Sequence, residues 1–473
     1  MLTYDLDRRG KLARYDYLYR CIREDILAGR LTAGEKLPSK RSLASHLQTA
    51  VITVQNAYAQ LEAEGYLYTR EKRGYYVADV ERHPAAPGRA PARSAPQPQR
   101  SWLLDLSSGG SGTEDFPFSV WAKLMRRVLS EEGEALLRAT PPNGADALRR
   151  AIAQHLYRFR GISAAPEQIV VGAGTEYLYN LIVQLLGREA VYGVEDPGYS
   201  KAARIYALGG ARTAPVLVDE GGVSLRSLEM SGAQILHTSP NHQFPTGAVT
   251  PIGRRQSLLR WAEAREGRYI IEDDYDSEFR FTLRPIPTLQ SIDRAGRVIY
   301  VNTFSRTLAP SLRISYMVLP KSLTERYRAQ LGFYSSTVPA MEQYTLARFL
   351  DEEYFEAHIN RMRKSYRAQR DAVIDTILQS PLGEHCRVSG EDTGLHFLLT
   401  IDTKCTDHVL RADAEGRGVR LSFLSDFALR PGSAPQHTLV IHYPGIDLGR
   451  LRSALSILEA LLYFRDWKYK GRK

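Results

Sequence analysis

Between Arg82 and Arg100 five prolines (Pro84, Pro87, Pro91, Pro96 and Pro98) stand among Ala, Arg, Ser and Gln. Such a stretch has almost nothing apolar to bury, and its prolines stiffen it into extended conformations. It divides the chain before any motif is considered. A short unit over residues 1–80 is followed by a linker over 81–103 and a long unit over 104–473, with a smaller subdomain from about residue 370. At 473 residues the chain exceeds what one ordinary core organises, which agrees with that division. No apolar run reaches membrane-spanning length and the N-terminus carries no signal-peptide core, so no membrane association and a cytoplasmic location are expected. Cys21, Cys386 and Cys405 lie far apart without paired ligand spacing, so reduced thiols and no metal site are expected.

Charge is placed unevenly. Residues 1–103 hold 17 Lys and Arg against 11 Asp and Glu, more than half of the net +10 of the whole chain. A basic N-terminal end suits a polyanion partner. Within it, apolar spacing predicts a helix over 15–28, a second over 40–47 capped by Ser39, and a third over 53–65. Two short strands follow, 66–69 and 75–77, around the basic turn Arg70-Glu71-Lys72-Arg73-Gly74. A helix pair with a tight turn, then a basic hairpin, is the outline of a winged helix-turn-helix, whose second helix enters the major groove while the wing touches backbone or minor groove.

The stretch GRLTAGEKLPSKRSLASHLQTAVITVQNAYAQLEAEGYLYTREKRGYYV resembles the GntR family of transcription regulators. The resemblance implies contacts to double-stranded DNA from Ser39, Arg41, Thr53, Gln55, Arg73 and Gly74. One departure bears on which bases are read. Where the family commonly has Ser-Arg before the recognition helix, this chain has Ala50-Val51.

The long unit alternates β-rich runs (168–171, 190–194, 233–238, 269–272 and 298–302) with amphipathic helices, the pattern of an α/β fold with a parallel-rich sheet. Short strands near the end (395–401 and 439–443) suggest a small α+β subdomain. Five motifs lie along it: VVGAGTE opening a helix after a strand, where backbone amides suit a phosphate; DPGY, which projects an aromatic ring; SPNHQFPTG; IIEDDYD, carboxylates at a strand end where such folds place ligands; and YVNTFSRTLAPSLRISY, with hydroxyls and a cation.

In order and spacing these motifs resemble the fold type I aminotransferases that use pyridoxal 5'-phosphate (PLP). They most resemble the aminotransferase-like domains of MocR-type regulators, a GntR subgroup, through EDPGYSKA, HQFPTG, IEDDYDSEFR, TFSRTLAPSLRISY, EQYTLARFLDEEYFEAHINRMRKSYRAQRD and GLHF. The resemblance implies that Asp273 pairs with the pyridine nitrogen, Tyr275 bonds the ring hydroxyl and Tyr199 stacks on the ring. It gives the phosphate to Gly174, Thr175, Thr303, Ser305 and Arg313. It also implies a head-to-tail homodimer and an operator of two half-sites. Two positions depart from aminotransferases. Phe244 stands where they have asparagine, although the MocR-type pattern itself reads His-Gln-aromatic there. Arg306 stands where the lysine that bonds the cofactor aldehyde is expected. A guanidinium with a pKa above about 12 neither attacks a carbonyl nor shuttles a proton usefully, so no catalytic residue is assigned. Three readings stay open: a regulator sensing PLP or a PLP–amine adduct without a covalent bond, an aminotransferase with a DNA-binding appendage, and a regulator using the long unit as a dimerisation scaffold.

Overall fold

The computed structural model describes residues 2–80, 101–107, 115–281, 286–392 and 394–463. Most of the proline-rich segment, residues 81–100, lies outside these. Contacts gather into two compact units, residues 1–99 and 100–473. No helix among the described residues is long and apolar enough to cross a membrane.

The first unit is built on three helices, α1 (Arg14–Leu27), α2 (Lys40–His46) and α3 (Val51–Ala63), and a hairpin of β1 (Leu67–Arg70) and β2 (Gly74–Val77). Helical spacing brings Leu18, Ile22 and Ile26 of α1 against Val54, Tyr58 and Leu61 of α3, all buried, with Leu43 of α2 closing the core. The Ser39 hydroxyl accepts from Ser42 N at 3.1 Å and caps α2. The antiparallel hairpin pairs Leu67 with Val77 and Arg70 with Gly74, so Glu71, Lys72 and Arg73 form its tip. On the wing, the Arg70 guanidinium lies over the rings of Tyr68 (5.4 Å) and Tyr76 (4.9 Å).

The second unit starts with a short strand, β3 (Leu104–Asp105), and two helices, α4 (Phe118–Glu132) and α5 (Asp146–Arg160). Its main sheet contains β4 (Ile169–Gly172), β5 (Val191–Asp196), β6 (Arg212–Asp219), β7 (Gly222–Val223), β8 (Ile235–Thr238), β9 (Tyr269–Asp273), β10 (Val298–Thr303) and β11 (Ser315–Val318). The order is β4-β11-β10-β9-β8-β5-β6-β7. The central strands β10, β9, β8, β5 and β6 pair in parallel, while β11 runs antiparallel to both its neighbours and β7 to β6. Side chains alternate between two apolar faces. Ile169, Val171, Tyr300 and Tyr316 join one cluster, and Val170, Ile271, Ile299, Val301 and Met317 join another, which includes the buried face of α6 (Thr175–Leu186). A sheet covered on both faces reads as continuous apolar runs, which is why these strands are legible in the sequence.

The smaller C-terminal region carries the antiparallel sheet β12 (Cys386–Ser389), β13 (His396–Ile401) and, after β14 (Val419–Arg420), β15 (Thr438–His442). The β14 strand pairs in parallel with β3. The β13–β15 register sets His396 opposite His442.

Candidate functional site

In the first unit the expected DNA residues divide by environment. Arg41, Gln55 and Arg73 are exposed, Thr53 and Gly74 are half-buried, and the Ser39 hydroxyl is committed to its helix cap. The third helix begins at Val51, two residues before the expected start, on an Ala50 N-cap that makes no side-chain bond.

The second unit has a cleft where the parallel strands end: β5 finishes at Asp196, β8 at Thr238, β9 at Asp273 and β10 at Thr303. In doubly wound sheets this carboxyl edge is where ligands bind. The cleft encloses about 540 Å³ including its mouth, enough for a small cofactor. Its walls are Thr175, Tyr179, Tyr199, Ser239, Phe244, Asp273, Tyr275, Thr303 and Arg306. Five of the eight residues expected to hold the cofactor are thus brought together. Gly174, Ser305 and Arg313 adjoin the cleft without lining it.

Asp273 is the polar centre. Its side chain is buried at the end of β9, and Oδ2 accepts from the Tyr179 hydroxyl at 2.5 Å. His237 Nε2 lies 3.4 Å from the same oxygen, with the Tyr206 hydroxyl 2.6 Å from its Nδ1. Asp273 Oδ1 is buried without a hydrogen-bond partner. A buried carboxylate oxygen left unpaired is costly unless a ligand donor completes it. A protonated ring nitrogen is such a donor, so the site fits the group that the resemblance implies.

Aromatic rings enclose the space. Phe244 meets Tyr199 (6.3 Å), Tyr275 (6.3 Å) and Phe427 (4.9 Å) edge to face. Burial pushes Tyr275 well above its ordinary value and keeps its hydroxyl protonated, with the Arg306 charge opposing that shift. The hydroxyl lies 3.1 Å from His242 Nδ1, which is also 2.8 Å from Asp276 Oδ2. His242, Asp276 and His396 could offer metal-ligand atoms within 4.8 Å of one another. The Arg306 charge favours a hydrogen-bonded support for Tyr275 over a metal centre: it helps push His396 down after burial and its imidazole neighbours, and it would repel a second cation.

The end of the cleft where the resemblance implies the phosphate is built on the start of α6. Gly174 has φ +98° and passes so close to Arg313 that a β-carbon there would lie 2.3 Å from the guanidinium. Arg313 pairs with Glu176 at 2.6 Å, and Lys201 pairs with the same carboxylate at 2.8 Å. These partners, Lys201 foremost, hold Glu176 below its ordinary value. Thr303 Oγ1 accepts from Ser315 Oγ at 2.7 Å, and Ser305 Oγ donates to the Leu312 carbonyl at 3.0 Å. Sequence reading missed Tyr179 and His237. Tyr179 follows Thr175 by one helical turn and has the pattern of a core residue; only the fold brings it to Asp273, 94 positions away.

Comparison with known proteins joins the two units. Residues 14–77 match the family of bacterial regulatory proteins named gntR, and residues 103–409 match the class I and II aminotransferases. The probable rhizopine catabolism regulatory protein MocR of Rhizobium meliloti is 34% identical over 474 residues, covering 96% of this chain and 95% of that one. This chain belongs to the MocR-type subfamily of GntR regulators. An uncharacterized HTH-type transcriptional regulator of Bacillus subtilis, YdeL, is 37% identical over 464 residues, 97% of this chain and 99% of that one. Among solved structures, the α-aminoadipate aminotransferase LysN of Thermus thermophilus, complexed with N-(5'-phosphopyridoxyl)-L-leucine, aligns with a TM-score of 0.66. It is 25% identical, and the match covers 76% of this chain and 92% of that one. This MocR-type regulator therefore carries a DNA-binding winged helix-turn-helix and an aminotransferase-like effector domain.

Proposed function

We propose that the effector domain binds PLP, or a PLP–amine adduct, reversibly and without a covalent bond, and that occupancy adjusts binding of the first unit to an operator with two half-sites. The unpaired, buried Oδ1 of Asp273 in a ring-lined cleft carries the cofactor half of this reading. Bound PLP supplies an electrophilic aldehyde and a ring that withdraws electrons. Asp273 would hold the ring nitrogen protonated, Tyr275 would donate to the ring hydroxyl, and Tyr199 would cover one face. Thr175, Thr303 and the Gly174 amide would take the phosphate with Ser305 and Arg313 nearby. The adduct reading draws on LysN, whose complex holds a phosphopyridoxyl amino acid.

Arg306 supports a sensing role over a catalytic one. It lines the cleft on the turn after β10, where it meets a ligand as a fixed cation and not as a nucleophile. The aminotransferase and empty-scaffold readings are tested together with this one. Wild-type protein titrated with PLP should bind it and release it on dialysis, with nothing retained after borohydride. Arg306→Lys restores an amine and should retain PLP after the same treatment. A borohydride-trapped adduct mapped to a lysine at the cleft of the wild type, such as Lys201, would overturn the non-covalent reading, and absence of binding by both proteins would leave the scaffold.

The domain limits of 1–80, 81–103 and 104–473 belong to the same proposal, as does a head-to-tail homodimer that presents two recognition helices to the two half-sites.

A further inference from the structure

The recognition helix has an unusual outer face. Val51 and Ile52 open α3 with 43% and 58% of their surfaces exposed, while the opposite face, Val54, Ala57, Tyr58 and Leu61, is fully buried. Continuing along the outer face come Gln55, Asn56 and Ala59, all exposed. From Val51 to Ala63 the helix contains neither Lys nor Arg. Exposed cations are carried by the elements that precede and follow it in the chain, among them Arg41 on α2 and Arg70, Lys72 and Arg73 on the wing.

That distribution separates two tasks. Flanking cations serve phosphates, which give affinity without sequence information. Bases are read from the recognition helix, and the commonest specific contact there, arginine to guanine O6 and N7, is not available to α3. What α3 offers instead is branched hydrocarbon and carboxamide. Thymine alone among the bases presents a methyl group in the major groove, and Asn or Gln pairs bidentately with adenine N6 and N7. Both chemistries select the same base pair.

We propose that Val51 and Ile52 read thymine methyl groups, with Gln55 and Asn56 on adenine, so that A·T pairs form the part of each half-site under the first turns of α3. This rests on the reading above that α3 enters the major groove of duplex DNA.

The test uses the full-length protein and duplexes selected from a random pool, followed by replacement of each selected thymine with deoxyuridine, which removes only the methyl. Selected half-sites should be enriched in A·T pairs. Burying one methyl group corresponds to about fourfold in affinity, so deoxyuridine at a read position should weaken binding by about that factor. Ile52→Ala and Val51→Ala, at exposed positions that leave the core intact, should each narrow the difference between thymine and deoxyuridine at the position that residue reads, and the double variant should bind the two duplexes alike. Half-sites dominated by G·C pairs, or equal binding of both duplexes by the wild type, would overturn the proposal while leaving DNA binding standing. A change of oligomeric state in Ile52→Ala without any thymine preference would reassign the pair to a protein contact. No salt-sensitive binding to any duplex would instead remove the DNA-binding reading itself.

Discussion

At Asp273, one oxygen is satisfied by Tyr179 and the other is buried and unpaired. If PLP completes it, Asp273→Ala removes a charge-assisted hydrogen bond worth about 1.5–3 kcal/mol. Isothermal titration should then show PLP affinity about 10- to 100-fold lower, and unchanged affinity would show that the ring nitrogen lies elsewhere. Gly174 makes a second point. A side chain at φ +98° is strained, and its β-carbon would press on the Arg313 guanidinium, the movable end of a long side chain. Gly174→Ala should therefore cost about 1–2 kcal/mol of stability in a denaturant titration and weaken PLP, with most of the cost in the backbone. Individual residue types at this site are legible because each sits in a motif with a chemical purpose. Tyr179 and His237 are not, because their role exists only once α6 and β8 pack beside the end of β9.

For whole elements, the reading of sequence succeeds where burial is two-sided and falters where local signals conflict. The strands β5, β8, β9 and β10 stand out as apolar runs, whereas β6 mixes exposed and part-buried positions around a single buried residue, Val216, and gives no such run. Sequence places the start of α3 at Thr53, after a short turn, but the helix starts at Val51; β-branched Val51 and Ile52 and an Ala50 without a capping oxygen are poor local signals, and packing of the buried face on α1 overrides them. The wing and α2 carry a testable electrostatic role. Arg41→Ala and Arg73→Ala should each weaken binding to every duplex, specific or not, and flatten the dependence of log affinity on log salt by about one unit. A pair of variants with wild-type salt slopes would place the DNA face elsewhere. In the small sheet, burial and then Arg306 push His442 down to about 4 from an ordinary 6.5. A neutral imidazole favoured by the fold contributes stability that is complete above 6.5 and is lost as pH falls toward 4. Glu272 and Glu278, pushed up to about 7 by burial, act with the opposite sign in acid, so the informative quantity is a difference. His442→Asn should gain on the wild type as pH falls through that window, approaching about 3 kcal/mol at its acid end. A difference that does not change with pH would show that His442 titrates normally.

Across the whole molecule, two kinds of chemistry share one chain: a small basic DNA-binding unit, and a large aminotransferase-like α/β unit with an aromatic-lined cleft at the carboxyl edge of its sheet. Linkage between them is what makes such a protein a regulator and not two proteins in tandem, and it is reciprocal by thermodynamic necessity. The direct measurement is operator affinity of the full-length protein at fixed salt, without PLP, with saturating PLP and with a reduced PLP–amine adduct, alongside PLP affinity with and without saturating operator. PLP or the adduct should change operator affinity by some factor, and the operator should change affinity for that same ligand by the same factor. Operator affinity that stays constant at saturating PLP and adduct, in protein shown to bind both, would contradict the account.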